Sequence, residues 1–499
     1  MTASFGGILA YPNAATAATP RKGGQIRVAS LSSSIADTLD PAKGSLSTDY
    51  VRHYMLYSGL TQYNRDLSAQ LALAVSIETD DQIHWTIKLR DGVQFHNGKS
   101  LTSADVVYSL LRHKDASVAS KMATIAQQFA DVKATGPLEV TMRLTGANAD
   151  LPVILADSHF LIIADGTRDF RTAVGTGPYK LKSFNPGIRT VGIRNENYWK
   201  PGRPYIDEIE LIGIPDETSR VNALLSGDVQ LIIAVNPRQT RRVDASPTHE
   251  ILETKSGLYT DLIMRADAHP TSNPDFVLAM KYLFDRKLIR KALFRGFAEI
   301  GNDHPIAPTD RYFAPGLAQR EYDPDRASFH LKKSGLAGIR VPMYATPAAQ
   351  GSIDTASLLQ ESAARIGLKL AVNRVPADGY WSNHWMKHPL GFGNTNPRPT
   401  ADLKFSLFFK SDAPWNVSGW HNERFDQLVV AARAEGDEVK RRQMYADMQE
   451  LVHDKCGVGI PVFISLIDAY HTRVKGLGSI PIGGLMGYSF ADHVWLDES

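Results

Sequence analysis

From Gly23 onward the chain alternates polar and apolar side chains over Gln25–Ala29, the mark of a half-buried strand. Trp85–Leu89 alternates again, and Arg90-Asp91-Gly92 then turns toward Val93–Phe95, which predicts a hairpin. Thr102 or Ser103 is placed to cap a helix whose apolar stripe holds Val106, Val107, Leu110 and Leu111. Val140, Met142 and Leu144 mark another strand after Gly136-Pro137. Ile209–Ile214 reads as a strand, Thr218–Ser226 as a helix stopped by Gly227, and Val229–Ala234 as a second strand. Past Arg265 the period lengthens, and Pro274–Phe284 and Lys287–Phe294 read as helices. Val341–Tyr344, Ser352–Ile366 and Leu368–Val375 form a strand–helix–strand unit, which normally makes a right-handed parallel crossover. Phe425–Ala432 and Val439–His453 are helices, and Val458–Phe463 is a buried strand. The sum is a mixed α/β chain with no internal repeat, heptad array or low-complexity tract.

Length decides how many cores these elements build. A chain of 499 residues exceeds the roughly 250–300 that one core sustains, so two lobes are expected, with up to three subdomains. The charged fraction of 22% and net charge of +2 leave no field to recruit nucleic acid or an anionic membrane. A monomer is expected. Cys456 is the sole cysteine, so no intrachain disulfide exists; nothing beside it forms an activating pair, and it reads as inert core. Phe5–Tyr11 is a short apolar run, followed by the Ala-rich Asn13–Thr19 and Pro20. That resembles the end of a signal peptide with cleavage options near Ala15, Ala17 and Ala18, although a basic region before it is missing. The competing reading of 1–22 is a disordered leader. With no Cys there, a lipid anchor is not expected, and no later segment has the ~20 apolar residues that span a bilayer. An exported, soluble protein follows as the expectation.

Catalytic signatures are missing: there is no Gly-x-Ser-x-Gly elbow, no phosphate loop and no His-Glu-x-x-His. Gly175-Thr176-Gly177 is followed at once by Pro178, so it reads as a turn into a strand rather than a phosphate cradle. His384 and His388, four apart, could share a metal, but Trp385 and Pro389 point to an irregular loop and no third ligand has a fixed spacing. Neither metal nor cofactor is expected. The densest signal is Tyr380–Trp420, which holds Tyr380 and four of the seven Trp residues: Trp381, Trp385, Trp415 and Trp420. Interleaved are His384, Asn394, Asn396, Arg398, Asn416 and His421. Aromatic walls with a few polar groups suit a small-molecule cleft, and the loop-like Gly391–Pro399 favours that over a Trp-rich core. His304 completes the candidate ligand-binding set.

Four segments carry a resemblance. They are Leu60-Thr61-Gln62-Tyr63-Asn64; His84 through Gly98, continuing into Leu101–Leu110; Gly175-Thr176-Gly177-Pro178-Tyr179 with Arg194–Trp199; and Pro204–Ile209. In this order they resemble the family 5 extracellular solute-binding proteins, which include dipeptide, oligopeptide and nickel binders. The resemblance implies a two-lobed α/β clamshell of the type II, cluster C kind, hinged on two crossing strands and closing on a solute. It implies lobe I from 23–55, 178–265 and 470–499, an extra subdomain over 56–177, and lobe II over 266–469. It further implies a periplasmic receptor, not an enzyme, whose partners are a small-molecule solute and an ABC importer permease. Dipeptide binders carry an aspartate in the loop that here reads Gly393-Asn394-Thr395-Asn396-Pro397-Arg398. Amides and an arginine in its place favour an anionic or sugar-like solute, such as an opine or a polycarboxylate chelate, over a short peptide. The rivals are a secreted hydrolase with an unrecognised site and a chemoreceptor-coupled binding protein without an importer.

Overall fold

The computed structural model describes residues 19–497, so the Phe5–Tyr11 run and the cleavage options at Ala15, Ala17 and Ala18 lie outside the described residues. Gln25–Ser30 forms the expected strand and runs parallel to Glu208–Gly213 and to Leu231–Ile232, with Val28 opposite Leu211 and Leu231. Arg189–Arg194 and Tyr179–Asn185 extend this half of the sheet antiparallel. Val462–His471 then pairs Leu231–Ile232 on one side and His249–Met264 on the other.

His249–Met264 is the longest strand, and no periodicity announced it. Its first part pairs with Val462–His471, the register slips between Thr254 and Leu258, and its last part pairs with Leu390–Thr395, Met264 opposite Leu390. Sixteen residues at ~3.3 Å each reach about 50 Å, enough to serve two cores. Leu258, Leu262 and Met264 enter one apolar cluster of lobe II; Tyr259 and Ile263, on the opposite face, enter another. Separate clusters pack around Gln25–Ser30 in lobe I. Two strands thus connect otherwise separate cores, the arrangement of a hinge.

Lobe II contains the crossover expected from the sequence. Arg340–Ala345 and Lys369–Arg374 run parallel, joined by the helix Ser352–Arg365, which buries Ala356, Leu359 and Ala363 along one stripe. In the subdomain, four antiparallel strands lie in the order Ala74–Glu78, His84–Leu89, Glu139–Leu144, Phe129–Gly136. The helix Ser103–Leu111 starts after Thr102, whose N–H and Oγ1 both donate to Asp105, at 2.8 and 2.9 Å.

Three expectations are corrected. Val93–Phe95 is no strand, because both edges of His84–Leu89 are already taken by Ala74–Glu78 and Glu139–Leu144. The segment instead folds on itself: Phe95 N–H donates to Lys99 O at 2.8 Å, and Val93 and Phe95 drop into the subdomain core. Val229–Ala234 shortens to Leu231–Ile232. Val458–Phe463 breaks at Ile460-Pro461, since proline has no amide for the ladder and the Ile460 amide donates to Asp303 Oδ1 at 3.1 Å. Gly175 and Gly177 belong to packing: a Cβ would lie 2.0 Å from Leu56 O at the first and 2.4 Å from Leu56 C at the second.

Candidate functional site between the lobes

Arg398 leaves the strand Leu390–Thr395 at its hinge end, where Thr395 stands opposite Tyr259. Pro397 and Pro399 flank it and fix the backbone. The half-buried guanidinium donates to Pro397 O at 3.3 Å and lies 5.8 Å from the centre of the Phe408 ring. Burial works against its charge, while Tyr259, Asp157 and Tyr50 favour it. Asp157 and Tyr50 belong to the other side of the molecule. Tyr50 lies on the lobe I helix Ser47–Leu56, and Asp157 caps the turn Ser158–Phe160. Arg398, from lobe II, therefore lies within electrostatic reach of both. Among the described residues it forms no ion pair; Asp402, four residues on, pairs with Arg433 Nε at 3.1 Å from both oxygens.

The facing wall is a hydrogen-bonded unit. Asp157 Oδ1 lies 2.6 Å from His159 Nδ1, and His159 Nε2 lies 3.0 Å from Gly44 O. Both ring nitrogens face acceptors, an arrangement that suits the doubly protonated imidazolium. Burial alone would depress the imidazole; the bond to Asp157 and its charge outweigh that and raise it. Burial would likewise raise Asp157, but His159 and Arg398 hold its carboxyl below the usual range. Tyr50 packs on His159 and on Tyr488, with ring centres 5.5 and 5.4 Å apart, and burial with Asp157 and Asp49 pushes its phenol up to about 12. Tyr488 sits in a strained loop in which Leu485, Met486 and Tyr488 itself all adopt positive φ (52°, 56° and 72°). The Leu485 amide holds that loop to Asp468 Oδ2 at 2.6 Å, and burial pushes the Asp468 carboxyl up to about 7. Asp157 and His159 are thus bonded to each other, whereas Arg398 has no ion pair among the described residues.

An aromatic lane leads from Arg398 over Phe408 to Trp415, Trp385 and Trp381, with successive ring centres 5.5, 6.4 and 5.8 Å apart. Trp381 and Trp415 remain 43% and 40% exposed, enough to offer a face to a solute. Other candidates are engaged elsewhere. Tyr380 is buried and donates to Phe392 O at 2.6 Å. Asn416 is buried and donates to Trp420 O at 2.7 Å. His304 is buried 6.0 Å from the Phe313 ring, and burial depresses its imidazole to about 3. Asn394 donates to Tyr259 O at 3.0 Å, and Asn396 is exposed. His384 stacks on Tyr380 and Tyr344, its Nδ1 3.0 Å from His388 Nε2. Cys456 is buried, which pushes its thiol up to about 11.

Sequence reasoning named no lobe I residue. Tyr50, Asp157, His159 and Tyr488 come from three distant segments and meet only through the fold. The one local signal was the spacing Asp157-Ser158-His159, which lets a carboxylate cap its own turn. Among the described residues no helix is long and apolar enough to cross a membrane, and no group of three or more His, Cys, Asp or Glu could hold a metal.

The chain matches the family model described as bacterial extracellular solute-binding proteins, family 5 Middle, over residues 68–416. It is 24% identical over 477 residues to the glutathione-binding protein GsiB of Escherichia coli strain K12, covering 91% of this chain and 92% of that one. In structure it is similar to the periplasmic binding protein DppA from Helicobacter pylori in complex with the peptide STSA (TM-score 0.77, 21% identity, 96% and 99% of the two chains). It is also similar to AgaA from A. tumefacien R10 in complex with agropinic acid (TM-score 0.76, 22% identity, 95% and 99%).

Proposed function

The chain belongs to the bacterial extracellular solute-binding proteins of family 5, and from that premise we propose that it is a periplasmic receptor for a small, carboxylate-bearing solute. Solute is trapped between the lobes and handed to an ABC importer permease. Arg398 carries this reading: its guanidinium is partly desolvated, held on a proline-flanked loop and in no ion pair with a carboxylate among the described residues. A planar fork of donors in such a place fits a carboxylate, bidentate. Asp157 is already bonded to His159, so an ammonium group finds no free anion there. That favours a net anionic solute, such as an opine or another acidic amino-acid derivative, over an ordinary free peptide. The similarity to proteins in complex with agropinic acid, in complex with the peptide STSA and named for glutathione supports a carboxylate-bearing solute, because all three compounds carry carboxylates.

Mass spectrometry of solute co-purified with the protein, followed by a thermal-shift series, tests this. A solute at a hundredfold excess over its dissociation constant adds about 2.7 kcal/mol. Glutathione and opines should include hits, and neutral sugars should give none. Shifts with sugars alone would remove the carboxylate reading, and turnover of an ester or peptide would remove the receptor reading.

The exposed tryptophans give a second expected result. The emission of Trp381 or Trp415 should shift when such a hit closes the cleft over them. Alanine at either position should weaken binding while leaving the unfolding free energy within about 0.5 kcal/mol of the parent, as for surface positions. A large loss of stability with unchanged affinity would place the lane in the scaffold.

A further inference from the structure

We infer that the tip Asn148–Asp150 of the four-stranded subdomain is a clasp that holds lobe II closed against it. The tip is built by the subdomain. The Asn148 amide donates to Gln82 O at 2.9 Å, its side chain donates to Gln128 Oε1 at 3.0 Å, and its Oδ1 accepts the Asp150 amide at 3.0 Å. Leu151, next in sequence, enters the subdomain core. The partners of the tip lie in lobe II. Asp150 Oδ2 is 2.8 Å from Arg441 Nη2, and Asp150 Oδ1 is 3.2 Å from Arg311 Nη2. The Ala149 amide donates to Arg433 O at 3.0 Å.

The socket is rigid on its own side. Arg441 donates to Ala432 O at 2.9 Å and to Tyr312 Oη at 2.9 Å, and its guanidinium lies over the rings of Tyr312 and Tyr445 at 5.3 and 5.5 Å. Arg433 is tied to Asp402 and to Ser406. Asp150 and Arg441 are 1% and 4% exposed. A second interlobe pair, Arg238 with Asp354 at 3.0 Å, is 65% and 51% exposed, where water and salt leave an ion pair little weight.

Burial gives the clasp its direction. With the lobes together, removing the Asp150 charge leaves Arg441 in a dry socket, and Arg311 at its edge, without the anion they share. With the lobes apart, water hydrates those arginines and the loss costs little. Asp150→Asn therefore destabilises the closed form selectively and moves the lobe equilibrium toward open. The inference concerns closure and does not depend on which solute is bound.

Distance measurement between spin labels tests it without any solute. Ser117→Cys on the subdomain and Lys332→Cys on lobe II are both exposed, and buried Cys456 stays unlabelled. The expected result is a short-distance population in the parent whose ratio to the long-distance one falls about thirtyfold or more in Asp150→Asn, the low end of what losing one partner of a buried charge pair does. Arg311→Gln, whose side chain is 29% exposed, should move it the same way and serves if Asp150→Asn does not fold. Identical distance distributions in parent and folded variant would overturn the clasp and make the contact a fixed part of the scaffold.

Discussion

Asp303→Asn should destabilise the fold by about 3–5 kcal/mol, the range seen when one partner of a buried ion pair is removed. Asp303 is fully buried and takes both Arg286 contacts at 2.8 Å, Arg320 Nη1 at 2.7 Å and the Ile460 amide at 3.1 Å. Lys281, also buried, donates to His453 O at 2.7 Å, and burial lowers its amine to about 8. Asparagine keeps the shape and tolerates the left-handed backbone at this position (φ 58°), so the variant isolates the charge. What it leaves is Arg286, Arg320 and Lys281 gathered around a neutral amide. Burial alone would raise the Asp303 carboxyl, but Arg286 and Arg320 hold it well below its ordinary value of 3.8. A depressed carboxyl contributes stability that is complete above the unfolded value and shrinks as pH falls toward the folded one. Denaturant titrations of parent and variant should therefore differ most near neutral pH, and the gap should narrow below 3.8. A constant gap across that range would mean that the loss is one of packing, not of charge.

The segments whose chemistry is local were legible in the sequence. The parallel unit Arg340–Arg374 carries its own period, and Thr102 carries its own cap in Asp105. The hinge strand His249–Met264 was not legible, because its second half, from Ser256 to Met264, is buried on both faces and loses the alternation that marks a half-buried strand. Val93–Phe95 misled for a related reason: apolar residues after a turn look like a returning strand whether or not a sheet edge is free to receive them. At the cleft the same divide holds. Arg398 stood out from its loop, its prolines and its neighbouring aromatics. Asp157, His159, Tyr50 and Tyr488 did not, since an acid, an imidazole and two phenols acquire meaning only once the lobes face each other. His304 and Asn416 show the converse, as polar residue types that look like ligands in sequence and are buried within lobe II in the fold.

Arg398→Ala should weaken solute binding by about 2–5 kcal/mol, the usual loss when one partner of a buried, hydrogen-bonded charge pair is removed. Arg398→Lys keeps the charge but not the fork, and should lose about 1.5–3 kcal/mol, the value of a hydrogen bond to a charged group. Neither change should lower the melting temperature much. Among the described residues the side chain donates only to Pro397 O and lies over the Phe408 face, and such a cation–aromatic contact contributes about 0.5–1 kcal/mol at a partly exposed site. Burial works against the charge more than its neighbours favour it, so removing it relieves a cost that offsets even that. The two readouts therefore separate the roles of the residue. Calorimetry with the solute identified by mass spectrometry should show a large affinity loss at constant melting temperature. If affinity holds while the melting temperature falls, Arg398 belongs to the scaffold and the anchor of the solute lies elsewhere in the cleft.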